Sequence, residues 1–498
     1  MIRRWPRQLA EIAPLLIAIT VLSVVGFLWI SARTSGLGFP LDDAWIHQTY
    51  ARNLVEYGEW AFLSGQPSSG STSPLWTVMI AVGGWLHLDP KVWSYLLGCL
   101  LLVTSAWICG RWLALRSRAS WRWWFFVAML LVLEWHMVWI SVSGMETIAL
   151  ILLVLIVVSW IDSQNWNSLG MGMLIGLGVW LRPDALSLLI PVAWHVAFLN
   201  SGQFRKMLHR MGLVLIGVML LVGPYMAFNY ALSYELWPTT FYAKQTEYAV
   251  YREIPFFQRF WAQLVPPLAG VSALLVPGLI LVTIVQARQG SWWRLAPLLW
   301  VLSYVGAYAV RLPANYQHGR YAIPIIPVVL VLGIEGMKAW VEPYAKSLFR
   351  RLFSRAWLLA LPVLAIIFWW NGAQAYAQDV AIIETEMVAA SEWIATHTES
   401  EALIAAHDIG ALGYFGERTI IDMAGLVSPE VIPILRDEEA LARLLDARGA
   451  DYLMTFPGWY PKLVERAELI YTTDAPHSIR AGGENMTIYR WRPQGFAP

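Results

Sequence analysis

Ionisable side chains are scarce in this chain, and those beside apolar runs already outline a chemical site. An acidic pair, Asp42 and Asp43, opens the stretch LDDAWIHQTYARNLVEYGEW, which also carries Arg52. Further along, Glu134, His136, Glu146, Arg182, Asp184, Lys244, His318 and Arg320 each stand at or near the end of an apolar run. A charge in the apolar zone of a membrane costs roughly 2.5–3.5 kcal/mol on insertion scales, so such residues usually line a cavity or a substrate path. Cations gathered beside carboxylates describe a site for an anionic ligand. Single members have simpler accounts: Glu134 and His136 can satisfy neighbouring helices, and Arg182 with Asp184 can be a local ion pair around Pro183. Asp42, Asp43 and Glu56 also admit a hard divalent cation. The loop holds no further dense acidic cluster, so the preferred reading has no metal and no cofactor. Cys99 and Cys109 lie roughly 15 Å apart along one helix, beyond disulfide reach, and read as packing residues.

The elements that must position these groups are membrane helices. Of 498 residues 58% are hydrophobic and 14% charged, a balance that no soluble globular chain of this length would tolerate. Many of the 30 tryptophans end apolar runs, as an aromatic belt would. A net charge of +1 with no basic stripe gives no reason to expect nucleic acid. Apolar runs mark eleven spans, near residues 9–30, 91–110, 121–141, 146–161, 168–182, 184–199, 211–230, 264–287, 292–310, 321–338 and 356–371. The run Pro74–Leu88 decides the topology. Left out of the count, it lets every basic cluster fall on one side: Arg3, Arg4 and Arg7, then Arg111–Arg122, Arg205–Arg210, Arg288 with Arg294, and Lys338–Arg355. It is therefore read as an interfacial or re-entrant segment, with the N-terminus cytoplasmic. The ionisable residues named above and the C-terminal domain then share the extracytoplasmic face of a multi-pass plasma-membrane protein. The first outer loop, residues 31–90, is too long for a connector, and its apolar residues from Ala44 to Val55 recur at helical spacing, predicting an amphipathic helix along the membrane surface. Asp42 and Asp43 open that helix, where one of them could serve only as an N-cap.

The motifs DDAWIHQTYARNLVEYGEW, GSTSPLW, SGMET, LRPDAL, PTTFYAK and HGRYAIPIIP, in that order, resemble polytopic glycosyltransferases of the GT-C superfamily, in particular bacterial relatives of terminal arabinofuranosyltransferases and, more distantly, protein mannosyltransferases and aminoarabinose transferases. The likeness covers about residues 9–340. It implies transfer of a sugar from a polyprenyl-phosphate donor to an acceptor glycan, lipid or protein outside the membrane. Under that resemblance Asp43 or Asp42 is the general base for the acceptor hydroxyl, and attack opposite the phosphate inverts the anomeric centre. Lys244, Arg320, Arg182 and His318 supply cations for the departing phosphate. Arg52 either binds donor phosphate or fixes the loop. Glu146 and Tyr242 support the site, and residues 231–263 close over its lipid-phosphate end. Where relatives carry Pro-Asn-Thr-Phe-Tyr, this chain has Thr239, which removes a side-chain amide. The rival readings are a carrier or flippase for lipid-linked sugars and a scaffold whose outer domain does the binding.

Residues 1–371 thus form an all-α membrane domain. Residues 372–498 read as a soluble α/β domain, with an amphipathic run Val380–Thr398, strands at ALIAA, TIID, DYLMTF and NMTIYRW, and a helix Asp437–Arg448. Asp408 and Asp422 fall at strand ends, as ligand-binding positions or as turn formers.

Overall fold

The structure is a computed structural model that describes residues 6–338, 340–341 and 344–493. Arg3 and Arg4 of the basic N-terminus lie outside the described residues. The membrane part runs α1 (Pro6–Thr34), α2 (Asp43–Glu56), α3 (Pro74–Trp85), α4 (Pro90–Ser117), α5 (Trp121–Leu133), α6 (Trp135–Ser141), α7 (Thr147–Asp162), α8 (Ser168–Leu181), α9 (Leu189–Leu199), α10 (Phe204–Ser233), α11 (Thr239–Glu247), α12 (Phe256–Leu264), α13 (Val276–Arg288), α14 (Ala296–Arg311), the single turn α15 (Tyr316–Gly319), α16 (Ile326–Lys338) and α17 (Leu348–Ile382). Each of the eleven expected runs is helical over most of its length. Among the described residues six helical stretches are long and apolar enough to cross a membrane, and α5 with α6, bent by 61°, would add a seventh. Helices α7 and α8 and the segment Pro183–Leu199 are shorter apolar helices.

Small residues bring the helices together, as expected where lipid removes the hydrophobic drive between them. A Cβ on Gly172 of α8 would stand 2.0 Å from the Val214 carbonyl oxygen of α10, and one on Gly217 would stand 2.3 Å from that of Leu169. The two backbones therefore touch, and only glycine permits it.

One end of the bundle is basic. Arg116 pairs with Asp162 and Glu335 at 2.6 Å each, Arg294 reaches Glu335 at 3.1 Å, and Lys338 donates to the Ser117 carbonyl at 2.8 Å. At the other end of α4, Lys91 pairs with Glu384 at 3.3 Å, beside the C-terminal domain. The basic groups of α4, α16 and the turn before α14 thus share an end, opposite Asp43. The run Pro74–Leu88 forms α3, 12 residues and hence about 18 Å long, short of the ~30 Å hydrocarbon core. Its first turn bonds His47 and its last packs Gly84 on Val55, so it lies along α2.

Two features depart from expectation. Helix α2 is not half-exposed as an amphipathic surface helix would be: Ala44–Ala51 are buried without a break, with the C-terminal domain bonded to Asp42 and Arg52 and with His47 and Gln48 bonded to Thr77 and Ser94. Nor does the chain break near residue 371. Helix α17 continues through a π-helical turn, Ile383–Val388, into α18 (Ala389–His397), one helical stretch of 50 residues. Glu386, fully buried in that turn, accepts from Asn485 Nδ2 at 2.9 Å, from Met486 N at 2.8 Å and from Thr473 Oγ1, and so fixes the sheet onto the helix.

The first loop adds a small hairpin, β1 (Ala61–Leu63) and β2 (Gln66–Pro67). The C-terminal domain then contributes β3 (Leu403–Ala406), α19 (Gly410–Phe415), β4 (Thr419–Asp422), α20 (Glu438–Arg448), β5 (Tyr452–Thr455), β6 (Ala467–Thr472) and β7 (Thr487–Trp491). The sheet order is β4-β3-β5-β7-β6, with β3 parallel to β4 and β5, and β7 antiparallel to β5 and β6. Strand β6 was not expected; it is a largely exposed edge strand, without the buried runs that mark the other strands of the sheet.

Candidate active site

Asp43, at the first turn of α2, is the centre of the site. Its Oδ2 lies 2.6 Å from Arg320 Nη2 and 3.1 Å from Lys244 Nζ. Three separate elements meet there: α2, α11 in the loop of residues 231–263, and the turn between α15 and α16. That turn is unusual. Gln317 and His318 hold φ of 53° and 60°, followed by Gly319 at 69°, three left-handed residues in succession. Left-handed backbone costs a non-glycine residue about 1–2 kcal/mol, and its persistence here directs Arg320 back toward α2.

Arg320 is 6% exposed, and its Nε and Nη1 have no partner, while Nη2 serves Asp43 and the Tyr321 hydroxyl. A buried, unpaired guanidinium edge beside a lysine is a seat for an anionic oxygen. Burial alone would raise the Asp43 pKa, but Lys244 and Arg320 overcome it and hold the carboxylate well below the usual range. Both ion pairs use Oδ2, which leaves Oδ1 outside them.

Asp42 is committed elsewhere. It makes no capping bond to its own helix; instead Oδ2 accepts from Gly410 N at 2.6 Å and Oδ1 from Ala411 N at 2.8 Å. Burial, and then the neighbouring Asp408, raise its pKa against the pull of those two N–H groups. At the far end of α19, Arg52 donates to the carbonyls of Tyr414 at 2.7 Å and Gly413 at 3.1 Å and lies over the Tyr414 ring. An acid at the N-terminus and a base at the C-terminus match the ends of a helix dipole, so α2 clamps α19 at both ends. Arg52 therefore fixes the domain junction and is not among the cations around Asp43. Gly410 fits only because it lacks a side chain: a Cβ would stand 2.0 Å from the Asp42 carbonyl oxygen. Gly410→Ala is expected to cost about 1–3 kcal/mol at this junction, read as a lower melting temperature and faster proteolytic release of the C-terminal domain.

The remaining predicted residues divide. Arg182 makes bonds to Glu146 at 3.2 Å, Thr147 at 3.1 Å, Asp184 at 3.1 Å and the Tyr308 hydroxyl at 2.7 Å, and lies over the Tyr321 ring. Glu146 in turn meets His47 Nε2 at 3.5 Å, while His47 Nδ1 lies 3.3 Å from Ser71 and Thr77, so the GSTS segment is tied in. This network adjoins the Arg320–Tyr321 pair, with Arg182 over the Tyr321 ring and Tyr308 stacked on it, and braces it. His318, although two residues from Arg320, turns to Asp379 of α17 at 2.7 Å. Tyr242 faces the opposite side of α11 from Lys244, into a cleft of about 460 Å³ shared with Glu235, Gln245, Arg311 and Pro433. Glu134 caps α6 and pairs with His136 at 2.8 Å, a local role. Thr239 donates to the Leu426 carbonyl and Thr240 to that of Gly70 at 2.6 Å, which pins α11 between the first loop and the C-terminal domain. Among the described residues no group of three or more His, Cys, Asp or Glu side chains is placed to hold a metal ion.

Sequence reasoning did not connect His407, Asp408 and Glu247 to the site. His407 Nε2 lies 3.5 Å from Glu247 Oε1, one turn beyond Lys244, and His407 Nδ1 meets the Tyr460 hydroxyl at 2.7 Å. Asp408 Oδ2 is buried without a partner. Burial first, then Asp43 and Glu247, push its pKa up to about 6 against the pull of His407. Asp422 is a turn former, accepting from Ala424 N at 2.9 Å and Val427 N at 2.6 Å.

Residues 373–489 match the model of a family described as a domain of unknown function, DUF8728. No protein of curated function matches the chain by sequence. Among solved structures, ArnT from Cupriavidus metallidurans in the apo state is similar with a TM-score of 0.61 at 12% identity, over 98% of this chain and 100% of that one. The same protein bound to undecaprenyl phosphate gives 0.56 at 12% identity, over 97% and 99%. The Archaeoglobus fulgidus oligosaccharyltransferase in the apo form gives 0.60 at 11% identity, over 89% of this chain and 69% of that one. The chain has the GT-C fold that its motifs led one to expect.

Proposed function

We propose that the chain is a membrane glycosyltransferase that moves a sugar from a polyprenyl-phosphate donor to an acceptor hydroxyl on the extracytoplasmic face, with inversion, with Asp43 as general base and without a metal. The observation that carries this reading is Arg320: a buried guanidinium with two unpaired nitrogens, beside Lys244 and a carboxylate. Proteins of this fold have been seen with lipid phosphates, ArnT with undecaprenyl phosphate and the Archaeoglobus fulgidus oligosaccharyltransferase with an inhibitory peptide and a dolichol-phosphate.

The chemistry follows from the groups present. The acceptor oxygen bonds to the anomeric carbon as the bond from that carbon to the phosphate oxygen breaks, and the hydroxyl proton passes to Asp43. The leaving group is already a stable phosphate, so no general acid is needed; fixed cations suffice, and Arg320 and Lys244 supply them. Asp43 is preferred to Asp42 because both oxygens of Asp42 are bound by backbone N–H groups. Paired with both cations, Asp43 is a weak base. A donor phosphate that takes over their hydrogen bonds raises its basicity, so base activation follows donor binding. The proposed topology keeps the eleven spans, with the basic end of the bundle cytoplasmic and the C-terminal domain outside.

The test supplies polyprenyl-phosphate sugars, with candidate acceptor glycans, to the purified protein in lipid nanodiscs and follows release of polyprenyl phosphate. Sugar-dependent release with formation of a glycosidic bond is the expected result. In vesicles, headgroup translocation with no glycosidic bond formed would replace this reading with the carrier.

A further inference from the structure

The C-terminal domain is placed to do more than cover α2. Strands β3, β4 and β5 run parallel, and ligand sites in such sheets lie beyond the carboxyl ends of the strands. His407 and Asp408 are the first two residues beyond β3. The clamp of α2 on α19 brings that strand end against the site: Asp42 binds the N–H groups of Gly410 and Ala411, and His407 pairs with Glu247 on the helix that carries Lys244. Asp408 is thereby held beside the site, within electrostatic reach of Asp43 and Lys244. Its Oδ2 is buried with no partner, and Arg320, which pairs with Asp43, offers two buried N–H edges that are also unpaired. These open valences are complementary in kind. The guanidinium edges want an anionic oxygen, whereas the carboxylate oxygen wants a hydrogen-bond donor, and buried polar groups left unmatched are costly.

We propose that Asp408 is a specificity-determining residue: it accepts a hydrogen bond from a hydroxyl of the sugar being transferred, while Arg320 and Lys244 hold the phosphate to which that sugar is attached. The ligand that satisfies both sets is a glycosyl phosphate, a phosphate carrying a hydroxylated ring. This inference rests on the transferase reading above and assigns the C-terminal domain a part in recognising the donor.

The inference is tested by binding, which does not require turnover. Full-length protein in nanodiscs is titrated with undecaprenyl phosphate and with a panel of undecaprenyl-phosphate-linked hexoses and pentoses, comparing wild type, Asp408→Asn and Asp408→Ala, with melting curves to confirm folding. For at least one glycosylated lipid, the affinity relative to bare undecaprenyl phosphate is expected to fall roughly tenfold or more in Asp408→Ala, the worth of one hydrogen bond to a charged group. Bare undecaprenyl phosphate, which has no ring to contact, is expected to lose no affinity in either variant. An unchanged ratio for every sugar, an equal loss for bare and glycosylated lipid, or no binding of any glycosylated lipid by wild type would each overturn the proposal. Should Asp408→Ala not fold, Asp408→Asn decides by the same ratio, and misfolding of both variants would make Asp408 a structural residue and end the proposal. Turnover is scored separately: glycosylated lipid that binds with the predicted dependence on Asp408 but never releases polyprenyl phosphate defeats the transferase reading and leaves the recognition standing.

Discussion

Asp43→Asn is expected to lower turnover by roughly 10²–10⁴-fold, the usual contribution of a positioned general base, while binding of undecaprenyl phosphate is retained or tightened. The two halves of this expectation come from one geometry. Asp43 Oδ2 occupies Arg320 Nη2 and Lys244 Nζ at 2.6 and 3.1 Å. The carboxylate therefore competes with a lipid phosphate for the same donors. An asparagine of the same shape gives up the negative charge, so it neither accepts a proton nor repels the phosphate. Single-turnover release of polyprenyl phosphate, measured beside equilibrium binding, separates the two effects. Loss of binding and turnover in equal proportion would assign Asp43 a purely structural part. Asp42→Asn is the informative contrast: an amide can accept at only one of its two ends, so one of the N–H groups of Gly410 and Ala411 loses its partner, and the expected deficit is in melting temperature.

How much of this was readable beforehand differs by residue. The apolar runs were legible from hydropathy, and Asp43, Lys244 and Arg320, which the structure brings together, from their charge in an apolar setting, which has few uses. For Pro74–Leu88 the shortness of its helix was legible from the length of the apolar run. Three things were not. Arg52 shares its helix with Asp43 and so looked like part of the same site, yet its partners are carbonyls of Gly413 and Tyr414, over 360 positions away. The burial of α2 was hidden for the same reason, since its polar residues bond segments outside it, the C-terminal domain among them. Asp408 was visible as a strand-end aspartate, which in isolation is more often a turn former, as Asp422 is. What distinguishes the two is the clamp on α19, a contact between distant segments that no local pattern encodes.

Arg320 carries the second large effect. Arg320→Gln is expected to weaken undecaprenyl phosphate binding by about 30-fold or more, in line with roughly 2–5 kcal/mol for truncating one partner of a buried, hydrogen-bonded charge pair. The reason lies in how its five donors are divided: Nη2 is spent on Asp43 and the Tyr321 hydroxyl, and Nε and Nη1 remain for a ligand. Arg320→Lys keeps the charge but not the planar fork, so it is expected to recover part of the affinity and not all of it. A glutamine also leaves Asp43 with Lys244 as its one remaining ionic partner, which raises the carboxylate's basicity ahead of donor binding. The substitution should therefore act mainly through donor binding and less through the bound complex: at saturating donor, turnover should fall by a smaller factor than affinity does. Undiminished affinity for undecaprenyl phosphate in Arg320→Gln would remove the phosphate from this seat, and with it the reason for reading the two unpaired nitrogens as a donor site.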